Sequence, residues 1–301
     1  MKILNFGSCN IDFVYSLDHI CKPGETIGAD ALSRFPGGKG LNQSIAIARS
    51  GETVCHAGSI GEDGAFLRDV LSESGVDVRY LRMTDTPSGQ AIIQVDSKGE
   101  NCIILFHGAN YTNDPAYMDS VLKDFDSGDI LVLQNEITNL SYLIEKGYEK
   151  GMRLILNPSP FDASLKEIDL NKISVLILNE IEGCDFTGEE EPEKICAYFT
   201  EKYENLGVML TLGSRGCVYA DRTGSYPCPA FRVSVVDTTS AGDTFTGYFI
   251  SGLIRGLPME RTLRLASAAS ALAVSREGAS ASIPVRAKVE AFLAELEKTQ
   301  K

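Results

Sequence analysis

Short runs of Ile, Leu and Val recur along this chain, each too brief for a core helix and each followed by a segment with helical periodicity. Ile130–Leu133, Arg153–Leu156, Val175–Leu178 and Val208–Leu212 carry apolar residues at odd and even positions alike, so the sheet they form must be covered on both faces. Helices are expected at Pro115–Phe125, Leu140–Glu149 and Glu193–Glu204. The pattern predicts an α/β fold with a mostly parallel sheet and helices on both sides. Lys2–Ser8 and Thr53–Ile60 add strands, while Leu41–Ser50 and Gly64–Ser74 add helices stopped by Gly51 and Gly75. A small-residue helix is expected at Met259–Ser275, then a loop, Arg276–Ser282, and a last helix from Pro284. Two stretches break the rhythm. One holds extended pieces between Asp12 and Arg34; the other, Gln90–Asp96 and Asn101–Phe106 joined by Ser97-Lys98-Gly99-Glu100, reads as a hairpin. Together they are either a lid or an ordinary edge unit. The expected division is 1–11, 36–86 and 109–301 for the α/β core and 12–35 and 87–108 for a small β-sheet lid.

Polar residues gather where the strands end: Gln134-Asn135-Glu136, Asn157-Pro158-Ser159, Asn179-Glu180-Ile181-Glu182 and Thr211-Leu212-Gly213-Ser214-Arg215-Gly216. Open α/β sheets bind ligands at that edge. Gly7-Ser8-Cys9-Asn10-Ile11-Asp12 puts Asn10 and Asp12 just past the first strand, although Asp12 also fits a plain turn. Phe35-Pro36-Gly37-Gly38-Lys39-Gly40 allows close backbone approach but is no Walker A loop, because Gly40-Leu41 follows the lysine where a Ser or Thr is required.

The most suggestive stretch is Asp237-Thr238-Thr239-Ser240-Ala241-Gly242-Asp243, between an expected strand, Arg232–Val236, and an expected helix beginning at Thr244. Small residues at a helix start leave backbone amides free to meet an anion. Asp243 there is either an N-cap or a general base acting on a hydroxyl. The net charge of −13 opposes nucleic acid and anionic membranes as partners. A nucleotide's charge would have to be met locally, by amides and a divalent cation. Eight cysteines without a C-x-x-C pair, an N-terminus that reads as a strand and no apolar run of membrane length lead us to expect a cytoplasmic protein with reduced thiols.

In order and spacing, Gly7–Asp12, Pro23-Gly24-Glu25-Thr26, Gly37–Gln43, His107-Gly108-Ala109-Asn110, Asn157-Pro158, Asn179-x-x-Glu182, Thr211–Gly216 and Asp237–Asp243 resemble the ribokinase-like, or PfkB, family of ATP-dependent carbohydrate kinases. The resemblance runs from Asn5 to about Phe292. It implies transfer of the ATP γ-phosphoryl group to a sugar, with ribose expected and fructose, another sugar or a nucleoside as alternatives. A sugar-binding regulatory protein without turnover is the alternative of another class. The family's roles would make Asp243 the base, with the amides of Ser240, Ala241 and Gly242 as an anion hole. Asn10, Asp12, Gly38, Lys39, Asn42 and Glu136 would bind sugar hydroxyls. Asn179, Thr211, Gly213, Gly216, Gly242 and Ser267 would line the nucleotide site, and Glu182, with Asn179, would place Mg²⁺ through water. Asp237, Thr239, Ala273, Arg276, Gly278 and Ser282 would hold a monovalent cation, normally K⁺. The lid would also pair two subunits as a homodimer. Three residues depart from the family pattern: Ser240, where Gly or Ala is usual, Ser267, where Asn is common near adenine, and Pro36 before the double glycine.

Overall fold

The computed structural model describes residues 1–299. The chain opens with β1 (Ile3–Phe6), then leaves the main sheet to make β2 (Asn10–Ser16) and β3 (Ala31–Gly37). Helix α1 (Lys39–Arg49), β4 (Cys55–Gly61), α2 (Ala65–Glu73) and β5 (Asp77–Thr84) follow, after which β6 (Gly89–Val95) and β7 (Asn101–Phe106) rejoin β2. From α3 (Pro115–Leu122) the chain runs through β8 (Ile130–Gln134), α4 (Leu140–Glu149), β9 (Arg153–Asn157) and β10 (Val175–Asn179). Then come α5 (Glu180–Thr187), α6 (Pro192–Lys202), β11 (Gly207–Thr211) and the hairpin β12 (Cys217–Asp221) and β13 (Gly224–Cys228). The chain closes with α7 (Ala241–Ile254), α8 (Met259–Val274), α9 (Ala279–Ser282) and α10 (Arg286–Thr299).

Among the described residues the large sheet has nine strands, ordered β13-β12-β11-β10-β9-β8-β1-β4-β5. It is parallel except where β12 meets β11 and β13. Successive side chains of the central strands enter different cores, which is why these runs show no polar alternation. Leu4, Leu131, Leu154, Leu176 and Val208 pack with Met118, Leu143 and Phe199 on one face. Ile3, Val132, Ile155, Ile177 and Met209 pack with Ile45, Phe249 and Leu263 on the other. The expected layering is thus the observed one.

The small sheet is ordered β3-β2-β6-β7, and its β6–β7 hairpin closes where Gly99 N donates to Asp96 O at 3.0 Å. Its strands span 10–37 and 89–106, slightly wider than 12–35 in the first piece and slightly narrower than 87–108 in the second. Pro36 sits in edge strand β3 opposite Ile11, a position that tolerates a missing N–H.

The expected strand Arg232–Val236 does not form. The sheet already ends at β13, so these residues find no partner strand; they run without regular structure to the end of α8, where the amides of Val236 and Asp237 both donate to Val274 O at 2.8 and 3.2 Å. Their β-branched side chains instead line a cavity or face solvent. Helix α7 starts at Ala241, earlier than Thr244, and β5, α5 and β12–β13 are elements that sequence periodicity did not single out. Residues 279–282 of the expected loop coil into α9. No helix of the described residues is long and apolar enough to cross a membrane.

Candidate active site

Strand β1 lies between β4 and β8; from it the chain first builds outward to β5, then turns back through β8 toward β13. The carboxyl ends of β1 and β8 therefore flank the point where the connections reverse, the ligand position of open α/β sheets. Register brings the polar endings to one edge: Phe6 opposes Leu133, Gln134 opposes Asn157, and Asn179 opposes Thr211.

Asp243 is the third residue of α7 and is 8% exposed. Its side chain does not cap the helix, because the N-cap is Ser240, in a left-handed conformation with φ 61°. Instead Oδ1 accepts from Gln43 Nε2 at 2.9 Å and Oδ2 from Asn42 Nδ2 at 3.2 Å. Hydrogen bonds to a charged group are each worth roughly 1.5–3 kcal/mol. Gln43 Nε2 also reaches Asn157 Oδ1 at 3.1 Å, and Gln134 Nε2 donates to both Gln43 Oε1 (2.8 Å) and Asn5 Oδ1 (2.9 Å). This relay of amides ties the carboxylate to β1, β8 and β9. Close packing makes it possible: one turn after Asp243, a Cβ on Gly247 would sit 2.4 Å from Ala46 Cβ, so α1 and α7 meet only because that side chain is missing.

A cleft under the small sheet is lined by Asn10, Leu105, Phe106, His107, Asn110 and Glu136. Asn110 orients its floor, donating from Nδ2 to Asn10 Oδ1 at 2.7 Å while its Oδ1 accepts from Cys9 N at 3.0 Å. Glu136 is buried and accepts from the Ser8 hydroxyl and from Lys39 N, the latter at 2.9 Å. Gly38, φ 94°, turns the chain into α1 so that this amide faces the carboxylate. The half-buried Asp12 packs over Gly37; burial, then the charges of Glu136 and Asp243, push its pKa up to about 7. The Lys39 ammonium shows the converse balance: burial opposes its charge, but Asp243, Glu136 and Glu182 together raise its pKa.

Beyond α7 opens a cavity of about 700 Å³. Thr211, Gly213, Gly216, Ala241, Gly242 and Ser267 all line it. A Cβ on Gly242 would meet nothing within 4 Å, so its backbone is the wall at that point. Ala241 N donates to Thr238 O at 3.2 Å, and Ser240 Oγ is buried without a hydrogen-bond partner. Asp237 ties this turn to the loop after α8: Oδ1 accepts from Thr239 N at 2.8 Å and Oδ2 from Gly278 N at 3.0 Å. Burial would raise its pKa, but these bonds hold it low. Nearby, Arg276 N donates to Ala273 O at 3.1 Å and the Ser282 hydroxyl to Ala279 O at 2.9 Å. Asn179 and Glu182 form a reciprocal cap of α5, at 2.9 and 3.0 Å.

The expected residues thus fall into five groups: Asp243 with Asn42; Asn10, Asp12, Gly38, Lys39 and Glu136 around the cleft; Thr211, Gly213, Gly216, Ala241, Gly242 and Ser267 on the cavity; Asn179 with Glu182 at the cap of α5; and Asp237, Thr239, Ala273, Arg276, Gly278 and Ser282 about the turn before α7 and the end of α8, the last two groups not lining the cavity. Ser240 and Asp243 lie beside the cavity without lining it, among the described residues. Gln43, Ser8, Asn110, Asn157 and Gln134 went without a role in the sequence, since an amide or hydroxyl that holds another side chain is identified only by its partner.

Residues 1–286 match the model of the pfkB family carbohydrate kinases. A ribokinase from Bacillus subtilis is 33% identical over 297 residues, covering 97% of this chain and 99% of the relative. Among solved structures, a ribokinase from Thermotoga maritima superposes with a TM-score of 0.87 at 35% identity, covering 97% of this chain and 99% of that one. An Arabidopsis thaliana ribokinase complexed with ribose and ATP gives 0.86 at 30%, covering 97% and 98%. With the family match running nearly end to end over a fold whose switch point holds the buried aspartate, the chain belongs to the pfkB family of carbohydrate kinases.

Proposed function

We propose that this protein is an ATP-dependent ribokinase, transferring the γ-phosphoryl group of ATP to the primary hydroxyl of D-ribose. The observation that carries the reading is the placement of Asp243, buried and held by Asn42 and Gln43 between a polar cleft and a cavity of about 700 Å³. That volume is of the size that takes a nucleotide. The sugar binds at the cleft, between Asn10 and Glu136, which line it, and Asp12, Gly38, Lys39 and Asn42, which adjoin them; carboxylates and amides suit paired hydroxyls. Asp243 takes the proton of the attacking hydroxyl, which lets its oxygen attack phosphorus in line. The start of α7 receives the phosphoryl charge through the amides of Ser240, Ala241 and Gly242; at Ala241 the incoming oxygen replaces Thr238 O as acceptor.

Two ions belong to this reading. Glu182, a buried carboxylate whose charge is felt at Lys39, suits Mg²⁺ held mainly by phosphates and waters. The bond from Gly278 N to Asp237 brings the Asp237–Thr239 turn together with the segment from Ala273, at the end of α8, through Arg276 and Gly278 to Ser282 in α9, whose oxygens suit K⁺. Bound there, Mg²⁺ would supply charge neutralisation at the phosphates, and K⁺ would be held by the oxygens about the turn. Replacing K⁺ by Na⁺ then lowers the turnover rate, and equal rates in both salts remove that assignment. The small sheet, 12–35 and 87–108, acts as a lid and as the contact of a homodimer. Its strand β7 is exposed along its length, with Ile103, Ile104 and Phe106 each at least half exposed, more apolar surface than a lone lid leaves to water.

A panel of free sugars and nucleosides, read by ADP release, tests the function. Ribose is expected to give the highest kcat/KM. Preference for fructose or a nucleoside would replace the sugar while keeping the chemistry, and ribose binding without any ADP release would make this a regulatory protein.

A further inference from the structure

Two of the eight cysteines form a pair that none of the roles above uses. Cys217 opens β12 and Cys228 closes β13; they oppose each other in the antiparallel hairpin, so their side chains leave the ladder on the same face. Both are free and buried, and both sulfurs approach one atom: Ser267 Oγ lies 3.7 Å from Cys217 Sγ and 3.8 Å from Cys228 Sγ. Ser267 lines the cavity, as do Gly216 and Pro229, the chain neighbours of the two cysteines. The dithiol therefore sits directly behind the wall of the proposed nucleotide site.

Opposed residues of an antiparallel pair have Cα atoms about 4.5–5.5 Å apart, within the roughly 4.4–6.8 Å that a disulfide spans. Their Cβ atoms, about 4.5–5.5 Å apart, stand at or beyond the distance a disulfide prefers, about 3.8 Å. Closing the bond must draw β12 and β13 together and move what they touch. A disulfide closed in that way is readily reduced again. We take Cys228 as the reactive partner: a hydrogen bond from the Cys217 thiol, helped by the Ser267 hydroxyl and the Arg264 guanidinium, lowers its pKa in spite of burial.

We infer that Cys217 and Cys228 form a peroxide-sensitive dithiol whose oxidation to a disulfide closes the cavity to nucleotide, and that bound nucleotide in turn protects the pair. The inference rests on the reading of the cavity as the ATP site. The Cys228 thiolate attacks hydrogen peroxide, breaking the O–O bond and leaving a sulfenic acid and, after protonation, one water. The Cys217 sulfur then attacks the sulfenic sulfur, and its proton leaves with the hydroxyl as a second water. The dithiol loses two electrons and the peroxide gains them. Ser267, in contact with both sulfurs, carries the displacement into the cavity wall.

The test exposes reduced protein to hydrogen peroxide with and without saturating ADP. Thiol-selective alkylation and peptide mapping follow the pair, and a fluorescent ATP analogue reports binding without sugar or turnover. The expected result is a Cys217–Cys228 linkage, an affinity about tenfold weaker, as in ordinary coupling between sites, recovery with dithiothreitol, and slower linkage under ADP. Cys217→Ala and Cys228→Ala should each bind the analogue and lose the response to peroxide. Oxidation confined to the exposed Cys21 and Cys102 would overturn the inference. So would a linkage that leaves affinity unchanged, or one formed equally fast under ADP; the ADP comparison needs no variant to fold. These outcomes leave the ribokinase reading standing, whereas a reduced protein that binds no nucleotide at all overturns that reading as well.

Discussion

Neutral amides of Asn42 and Gln43 hold Asp243, which we propose as the base, in place. Asp243→Asn keeps the shape but removes proton acceptance and turns one of the two accepting oxygens, which bond Gln43 and Asn42, into a donor; kcat should fall by about 10²–10⁴-fold while the KM for ribose stays nearly constant. Steady-state kinetics decide this, and a near-normal kcat refutes the role. Asp12 supplies a pH signature. Its raised pKa, about 7, means the site holds it protonated below neutrality, whereas sugar hydroxyls bond best to the ionised form. Ribose affinity should therefore rise with pH through 7 and level off above it, becoming about tenfold weaker at pH 6 than at pH 8 because one pH unit below a pKa leaves about a tenth of the group ionised. Isothermal titration across that range checks the sign, and Asp12→Asn should flatten the profile. Both aspartates were legible as candidates in the sequence. Of the two amides that bond Asp243, Asn42 was legible as well; Gln43, with Gln134, Asn157 and Asn5 behind it, was not, because these four lie on separate elements and acquire meaning only as a connected set.

Between elements, the packing of α1 against α7 decides whether the site exists. Gly247 meets Ala46 so closely that any larger residue must push the helices apart and take Asp243 away from Asn42 and Gln43. Gly247→Leu should cost at least about 1–3 kcal/mol of stability, the usual range for overpacking, and lower kcat more than ribose affinity; urea denaturation and kinetics on one preparation test the pair of effects. Periodicity found the long helices and the central strands because burial on both faces leaves an unmistakable apolar signal. It missed α5, where Gly183 and Phe186 are buried and Ile181 is 74% exposed, so no apolar stripe marks the helix. It misassigned Arg232–Val236 for the opposite reason. β-branched residues suit a strand, but whether a strand forms depends on a neighbour, and the sheet is already closed off by β13.

For the molecule as a whole, the small sheet is the part least able to stand alone. Both edge strands, β3 and β7, carry exposed apolar side chains, including Leu32, Phe35, Ile104 and Phe106. If a second copy covers them, Ile104→Glu should convert a dimer to a monomer while costing little stability, since the residue is exposed in the single chain. Light scattering at micromolar concentration checks this, and a monomeric parent protein ends the proposal. The same division of labour runs through the chain. The amino-acid sequence by itself determined the layered α/β architecture, the polar strand ends and the turn with Asp243, because each is written in local composition and spacing. Only the tertiary structure decided that Asp243 is no helix cap, that Asn42 and Gln43 hold it with three further amides behind them, that Arg232, Val233 and Val235 line a cavity and that Cys217 faces Cys228. Those are pairings between residues far apart in the chain, and local pattern carries no record of which distant group a side chain will meet.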